Sequence, residues 1–247
     1  SAVTWVQQQL ARSPRGYKAN LASRVSEDDS KFPQVSQLFY ETLLGTDAEL
    51  RARMTFALSQ LFVINGNEFF NEGRGLAEWL DILDRNAFGN YRDLMDDVTR
   101  SPVMGKYLTY LNNKKGDPAK GREPDENYAR ELLQLFTIGL VELNMDGTAR
   151  LGANGQPIDT YTNNDVVGLA RVFTGFTLAG TSPRWQDRFA DTWERPMMMN
   201  DDAHSLREKR FLGTVIAENT PGEASIEQAL DRIFAHPNLA PFVSRQL

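Results

Sequence analysis

The chain has 247 residues, 41% hydrophobic and 24% charged, the make-up of a folded protein with a real core and not of a disordered segment. Lys and Arg number 27 against 33 Asp and Glu, and the net charge of -6 speaks against nucleic acid or an anionic membrane surface as the main partner. Cysteine is absent and histidine occurs only at His204 and His236, so disulfides, thiolate chemistry and a His-rich zinc site are excluded; no metal or cofactor is expected, and no run of 18 apolar residues offers a transmembrane segment.

Taken in order, Val3, Val6 and Leu10 mark a short amphipathic helix, followed by a polar stretch to Lys31 that reads as loop or weak helix. Val35, Leu38, Phe39, Thr42 and Leu43 carry the next helix, to Gly45. Thr46-Asp47-Ala48-Glu49 reads as a capping box, opening a core helix through Leu50, Met54, Leu58, Leu61 and Phe62 that stops near Asn65-Gly66. Leu76 to Ala87 and Tyr91 to Val98 give two more. Ser101-Pro102 then opens a helix whose stripe reaches Leu111. Asn112 to Pro124, with Lys114, Lys115, Lys120 and Arg122, has no apolar periodicity and reads as an exposed loop.

Asp125 to Gly139 is the most informative stretch. At 100° per residue Tyr128, Ala129, Leu132, Leu133, Leu135 and Phe136 share one face. Glu126, Asn127, Arg130, Glu131, Gln134 and Thr137 share the other, at spacings that let side chains touch; Ile138 alone breaks the division. Asp125 is the expected N-cap and Gly139 the left-handed C-cap. Beyond it Val141 to Met145, Thr148 to Leu151 and Pro157 to Tyr161 read as short strands joined by Asp-Gly and Asn-Gly turns. Thr162-Asn-Asn-Asp165 is a second capping box, for a helix ending at Thr174-Gly175, and Arg171 is expected to pack its stem and aim its guanidinium at a specific acceptor. Thr181 to Asn219 reads as loop plus a small strand pair; Ser225 to Gln228 caps a helix through Phe234, and Leu239 to Leu247 begins another without a stop signal, as expected of a piece of a longer chain. The fold class is therefore mainly α: a multi-helix globular bundle, a single helical domain over 1–247, with small β-hairpin excursions near 140–161 and 196–216.

These motifs resemble the bacterial proteins grouped as domain of unknown function 1800. The resemblance rests on Phe56-Ala-Leu-Ser-Gln-Leu-Phe-Val63, Ala87-Phe-Gly-Asn-Tyr-Arg-Asp-Leu94, the whole of Pro124 to Gly139, Tyr161-Thr-Asn-Asn-Asp-Val166, Leu169-Ala-Arg-Val-Phe-Thr-Gly175, His204 with Lys209 and Phe211-Leu-Gly213, and His236-Pro-Asn to Arg245-Gln-Leu. It covers most of residues 3–247, with Phe176 standing where that family often has tryptophan. What it implies is an exported protein, periplasmic or extracellular, with an envelope or extracellular protein as possible partner. It brings no established activity or catalytic residue.

The functional expectation is that the polar arc of the 125–139 helix walls an interior cleft facing Arg171 and the His204/Lys209 loop. Glu131 or His204 would act as base, and Glu126, Asn127, Arg130, Arg171 and Lys209 would hold a ligand, the cations an anionic group. The competing expectation is a network of buried ion pairs that locks the protein to itself. Three function classes remain open: a secreted hydrolase-like enzyme, an envelope assembly protein, and a carbohydrate-binding module using Trp185 and Trp193 as stacking platforms.

Overall fold

A computed structural model describes residues 1–45, 48–180 and 191–247. The molecule is mainly α, with two small two-stranded antiparallel sheets. Its chain clusters into two compact units, one of Ser1–Tyr107 with Leu178–Pro196, the other of Leu108–Thr177 with Met197–Leu247.

The first unit holds α1 (Ala2–Leu10), α2 (Tyr17–Arg24), α3 (Phe32–Leu44), α4 (Glu49–Leu61), α5 (Gly73–Arg85), α6 (Tyr91–Arg100) and α7 (Pro102–Tyr107). The expected capping box before α4 falls on Thr46 and Asp47, outside the described residues. The stretch read as loop or weak helix contains α2, whose N-cap is Gly16 and lacks a capping side chain. Asp81 of α5 supplies the cap from outside, accepting the N–H groups of Tyr17 at 2.5 Å and Lys18 at 3.0 Å, since the first donors of a helix must find acceptors somewhere. Buried Asp84, one turn on, takes the Arg15 N–H and the Thr55 hydroxyl, so two carboxylates of α5 pin the entry to α2. The helix after Ser101 ends at Tyr107, short of the expected Leu111, because Thr109 and Asn112 adopt left-handed φ of 63° and 64°.

The second unit holds α8 (Asn127–Glu131), a π-helical segment (Leu132–Thr137), α9 (Asn163–Ala170), β1 (Phe176–Thr177), β2 (Met198–Met199), β3 (Lys209–Phe211), β4 (Thr214–Ile216), α10 (Gly222–Phe234) and α11 (Leu239–Gln246). The N-cap is Glu126, one residue after the expected Asp125, whose Oδ1 still accepts the Asn127 N–H at 2.8 Å from just outside the helix. Gly139 leaves the helix at a φ of +67°, a conformation that costs glycine nothing. Between them the regular helix gives way. The wider i→i+5 turn advances each residue by less than 100°, which corrects the helical-wheel assignment at two positions. Leu135, expected inside, is 42% exposed, and Thr137, expected on the polar face, is fully buried with its hydroxyl donating to the Leu132 carbonyl at 2.6 Å. The 140–161 excursion is a ribbon of isolated bridges in place of full strands. Glu142, Ile158 and Arg150 each donate an N–H to the next around a closed ring, at 2.8, 3.1 and 2.8 Å. Asn238, buried ahead of α11, anchors the ribbon: its Nδ2 donates to the carbonyls of Ile138 at 2.6 Å and Val141 at 2.9 Å, and its Oδ1 accepts the Leu143 N–H.

β1 pairs with β2, Phe176 opposite Met199, and β3 pairs with β4, Lys209 opposite Ile216, around a Leu212-Gly213 turn of positive φ. α10 begins at Gly222, three residues before the expected cap, and Ser225 lies buried inside it. The core gathers Tyr110, Tyr128, Phe173 and Phe176, with Tyr110 stacked on Tyr128 at 4.0 Å and Phe173 edge-on to Tyr128 at 4.7 Å.

Candidate functional site

The polar groups of the second unit are set by α9 and the turns and strands C-terminal to it. Asp165 accepts the N–H and hydroxyl of Thr162 with one oxygen, both at 2.7 Å, closing the expected capping box, and takes the Leu212 N–H with the other at 2.6 Å. One carboxylate thus fixes α9 to the β3–β4 turn. Those hydrogen bonds outweigh the effect of burial, which alone would raise it, and hold its carboxyl below the usual range. α9 lies flush on β3: any Cβ at Gly168 would overlap the Arg210 carbonyl.

Past the end of α9, Thr174 organises the turn around His204. Its hydroxyl donates to the Arg171 carbonyl at 2.7 Å and accepts the Ser205 N–H at 2.8 Å, while its carbonyl lies 2.8 Å from His204 Nδ1. A carbonyl only accepts, so Nδ1 carries the proton and Nε2 presents its lone pair. His204 is 0% exposed, and among the described residues Nε2 has no hydrogen-bond partner. Burial lowers its basicity; the Thr174 carbonyl opposes this, Lys209 and Lys115 add to it, and Asp201 opposes it. The balance favours the neutral imidazole.

Lys209 is the second group left unmatched. On β3 side chains alternate, so Lys209 and Phe211 point inward together while Arg210 points out. Lys209 is 0% exposed and, among the described residues, its Nζ has no hydrogen-bond partner. Burial, then the charge of Arg171, pull its ammonium from the ordinary 10.5 down to about 8. Arg171 donates to the Glu208 carbonyl at 3.0 Å and, among the described residues, has no carboxylate within ion-pairing distance. Arg171, His204 and Lys209 are thus brought to one neighbourhood, and among the described residues neither cation has a carboxylate in ion-pair contact.

The remaining predicted site residues lie elsewhere in the same unit. Arg130 pairs with Glu126 at 2.9 Å and donates to Asn163 at 3.2 Å, both contacts partly solvent-facing. Asn127 is exposed, and half-buried Glu131 sits by Tyr161 together with Arg130. Asn163 opens α9 and Arg171 lies just past its end, eight residues or about 12 Å further along. No hydrogen bond or ion pair joins the two groups among the described residues, and the charges that act most on His204 are those of Lys209, Asp201 and Lys115. The polar arc and the His204/Lys209 loop form two clusters, one open and one buried, where a single convergent cleft was expected.

Other expectations resolve locally. Asp146 takes the N–H and hydroxyl of Thr148 at 3.0 and 2.6 Å, which is turn chemistry. Trp193 is half-buried in the first unit, edge-on to Phe69 at 6.0 Å with the Lys106 ammonium over its ring; Trp185 lies outside the described residues. The Asn112–Pro124 loop is anchored at its start: buried Asn113 accepts the Asp125 N–H at 3.0 Å, and the Lys115 N–H donates to the Ala203 carbonyl at 2.7 Å. Thr174, Asn113 and Asn238 were not singled out from sequence, since a buried amide or hydroxyl in a loop carries no periodic signal. Among the described residues no group of three His, Asp or Glu side chains is arranged to hold a metal ion, and no helix is long and apolar enough to cross a membrane.

A family model described as "Protein of unknown function (DUF1800)" matches residues 1–247. No curated protein and no solved structure matches the chain.

Proposed function

The chain belongs to the DUF1800 family, and from that premise we propose that it is an exported ligand-binding protein whose second unit takes a small anion at Arg171, His204 and Lys209. The observation that carries this reading is the pair of fully buried, unmatched polar atoms, Lys209 Nζ and His204 Nε2. A buried ammonium without an acceptor costs several kcal/mol, and a bound anion that accepts from it would remove that cost. Action in the periplasm or outside the cell is supported by the resemblance to exported bacterial proteins alone.

The test is thermal unfolding of the purified chain with added sodium phosphate, sulfate or acetate at constant ionic strength. At least one anion is expected to raise Tm by several degrees, as mass action on the folded state requires, with no rise in Lys209→Met. A wild-type chain indifferent to all of them, or a variant that responds equally, removes the reading. In a second reading, a hydrolase-like enzyme, His204 Nε2 is the base and the Lys209 ammonium the acid; Glu131, held beside Arg130 and Tyr161, takes no part. An envelope-assembly role draws instead on Met145 and Leu151, both exposed on the ribbon.

A further inference from the structure

The two unmatched groups differ in what they ask of a ligand. Lys209 Nζ can only donate, so the atom facing it must accept. His204 has spent its one proton on the Thr174 carbonyl, and its Nε2 can only accept, so the atom facing it must carry a hydrogen. An ion that satisfies both is an oxyanion that also bears a hydroxyl. The surrounding charges favour an anion: Lys209, Arg171 and Lys115 against Asp201. Both side chains are fully buried, as is Ser205, whereas Leu206, Arg207 and Glu208 of the same loop are exposed.

We infer, on the anion-site reading above, that the ion held between Lys209 and His204 is hydrogen phosphate and that the site rejects sulfate. The two ions have the same shape and charge, but sulfate has no hydrogen to give. Bound here it would turn an oxygen lone pair toward the lone pair of Nε2 and leave that acceptor unmatched. One unmatched buried acceptor lowers affinity about tenfold to a hundredfold.

Isothermal titration of the wild-type chain at pH 7.5 with phosphate, sulfate, arsenate and selenate tests this. Arsenate keeps a hydroxyl like phosphate, and selenate lacks one like sulfate, so the comparison is made twice without altering the protein. Phosphate and arsenate are expected to bind, with sulfate and selenate at least about tenfold weaker. In His204→Leu, the gap between phosphate and sulfate is expected to close while sulfate binding persists. If sulfate and selenate bind wild type as well as the other two, the selectivity is wrong and the anion site stands. If none of the four binds, both fall, and a buried water that accepts from Lys209 and donates to His204 satisfies the pair.

Discussion

At the scale of single residues, Lys209 carries the sharpest consequence. Its ordinary pKa of 10.5 falls to about 8 in the folded protein, which amounts to a cost of about 3 kcal/mol at neutral pH. Replacing it with methionine, similar in length and apolar, is expected to stabilise the fold by roughly 1 to 3 kcal/mol while ending anion binding. Urea denaturation of both proteins across pH supplies the check. Between pH 8 and 10.5 the unfolded chain keeps a proton that the folded chain has released, so wild-type stability rises with pH across that window and is lost as pH falls through 8. Relative to wild type, Lys209→Met should lack that slope; a variant less stable than wild type at pH 7 would mean that Lys209 is already satisfied within the protein. The inward position of Lys209 is legible in Lys209-Arg210-Phe211, because an alternating strand that buries Phe211 must bury Lys209. The tautomer of His204 is not legible, since it depends on a carbonyl 30 residues away.

At the scale of elements, the helices were legible because apolar spacing and caps agree, as at Thr162–Asp165. The π-helical segment was not. A wheel drawn at 100° assumes the very turn that Leu132–Thr137 abandons, so Leu135 and Thr137 were exchanged although their neighbours were placed correctly. Proximity between α9 and β3 also left no mark except Gly168, which reads in sequence as a mere weakness in a helix. Gly168→Ala is expected to destabilise by about 1 to 3 kcal/mol, since the methyl must displace the Arg210 backbone and the Lys209 strand with it. The same displacement should weaken phosphate binding in titration. Unchanged stability together with unchanged affinity would show that α9 and β3 part at no cost and that the strand does not position Lys209.

At the scale of the whole chain, neither compact unit is a continuous stretch. Leu178–Pro196 belongs with Ser1–Tyr107, where Trp193 packs its backbone and Cβ against Gly75 and its ring against Phe69, and Glu194 pairs with Arg74 at 2.8 Å. Nothing in composition marks the crossings after Thr177 and Pro196, so the sequence reads as one domain throughout. A chain ending at Tyr107 is expected to unfold at lower urea than the same chain supplied with a peptide of residues 178–196, followed by far-ultraviolet circular dichroism; a midpoint indifferent to the peptide would mean that this excursion adds nothing to the unit. The interleaving also sets an order of events during synthesis. Tyr107 leaves the ribosome long before Trp193, so Phe69 and Gly75 must wait, uncovered, while all of Leu108–Thr177 is made, and the buried histidine of the second unit emerges later still. A chain threaded in this way cannot close its first unit before Leu178–Pro196 has been made, nor its second before Met197–Leu247 follows.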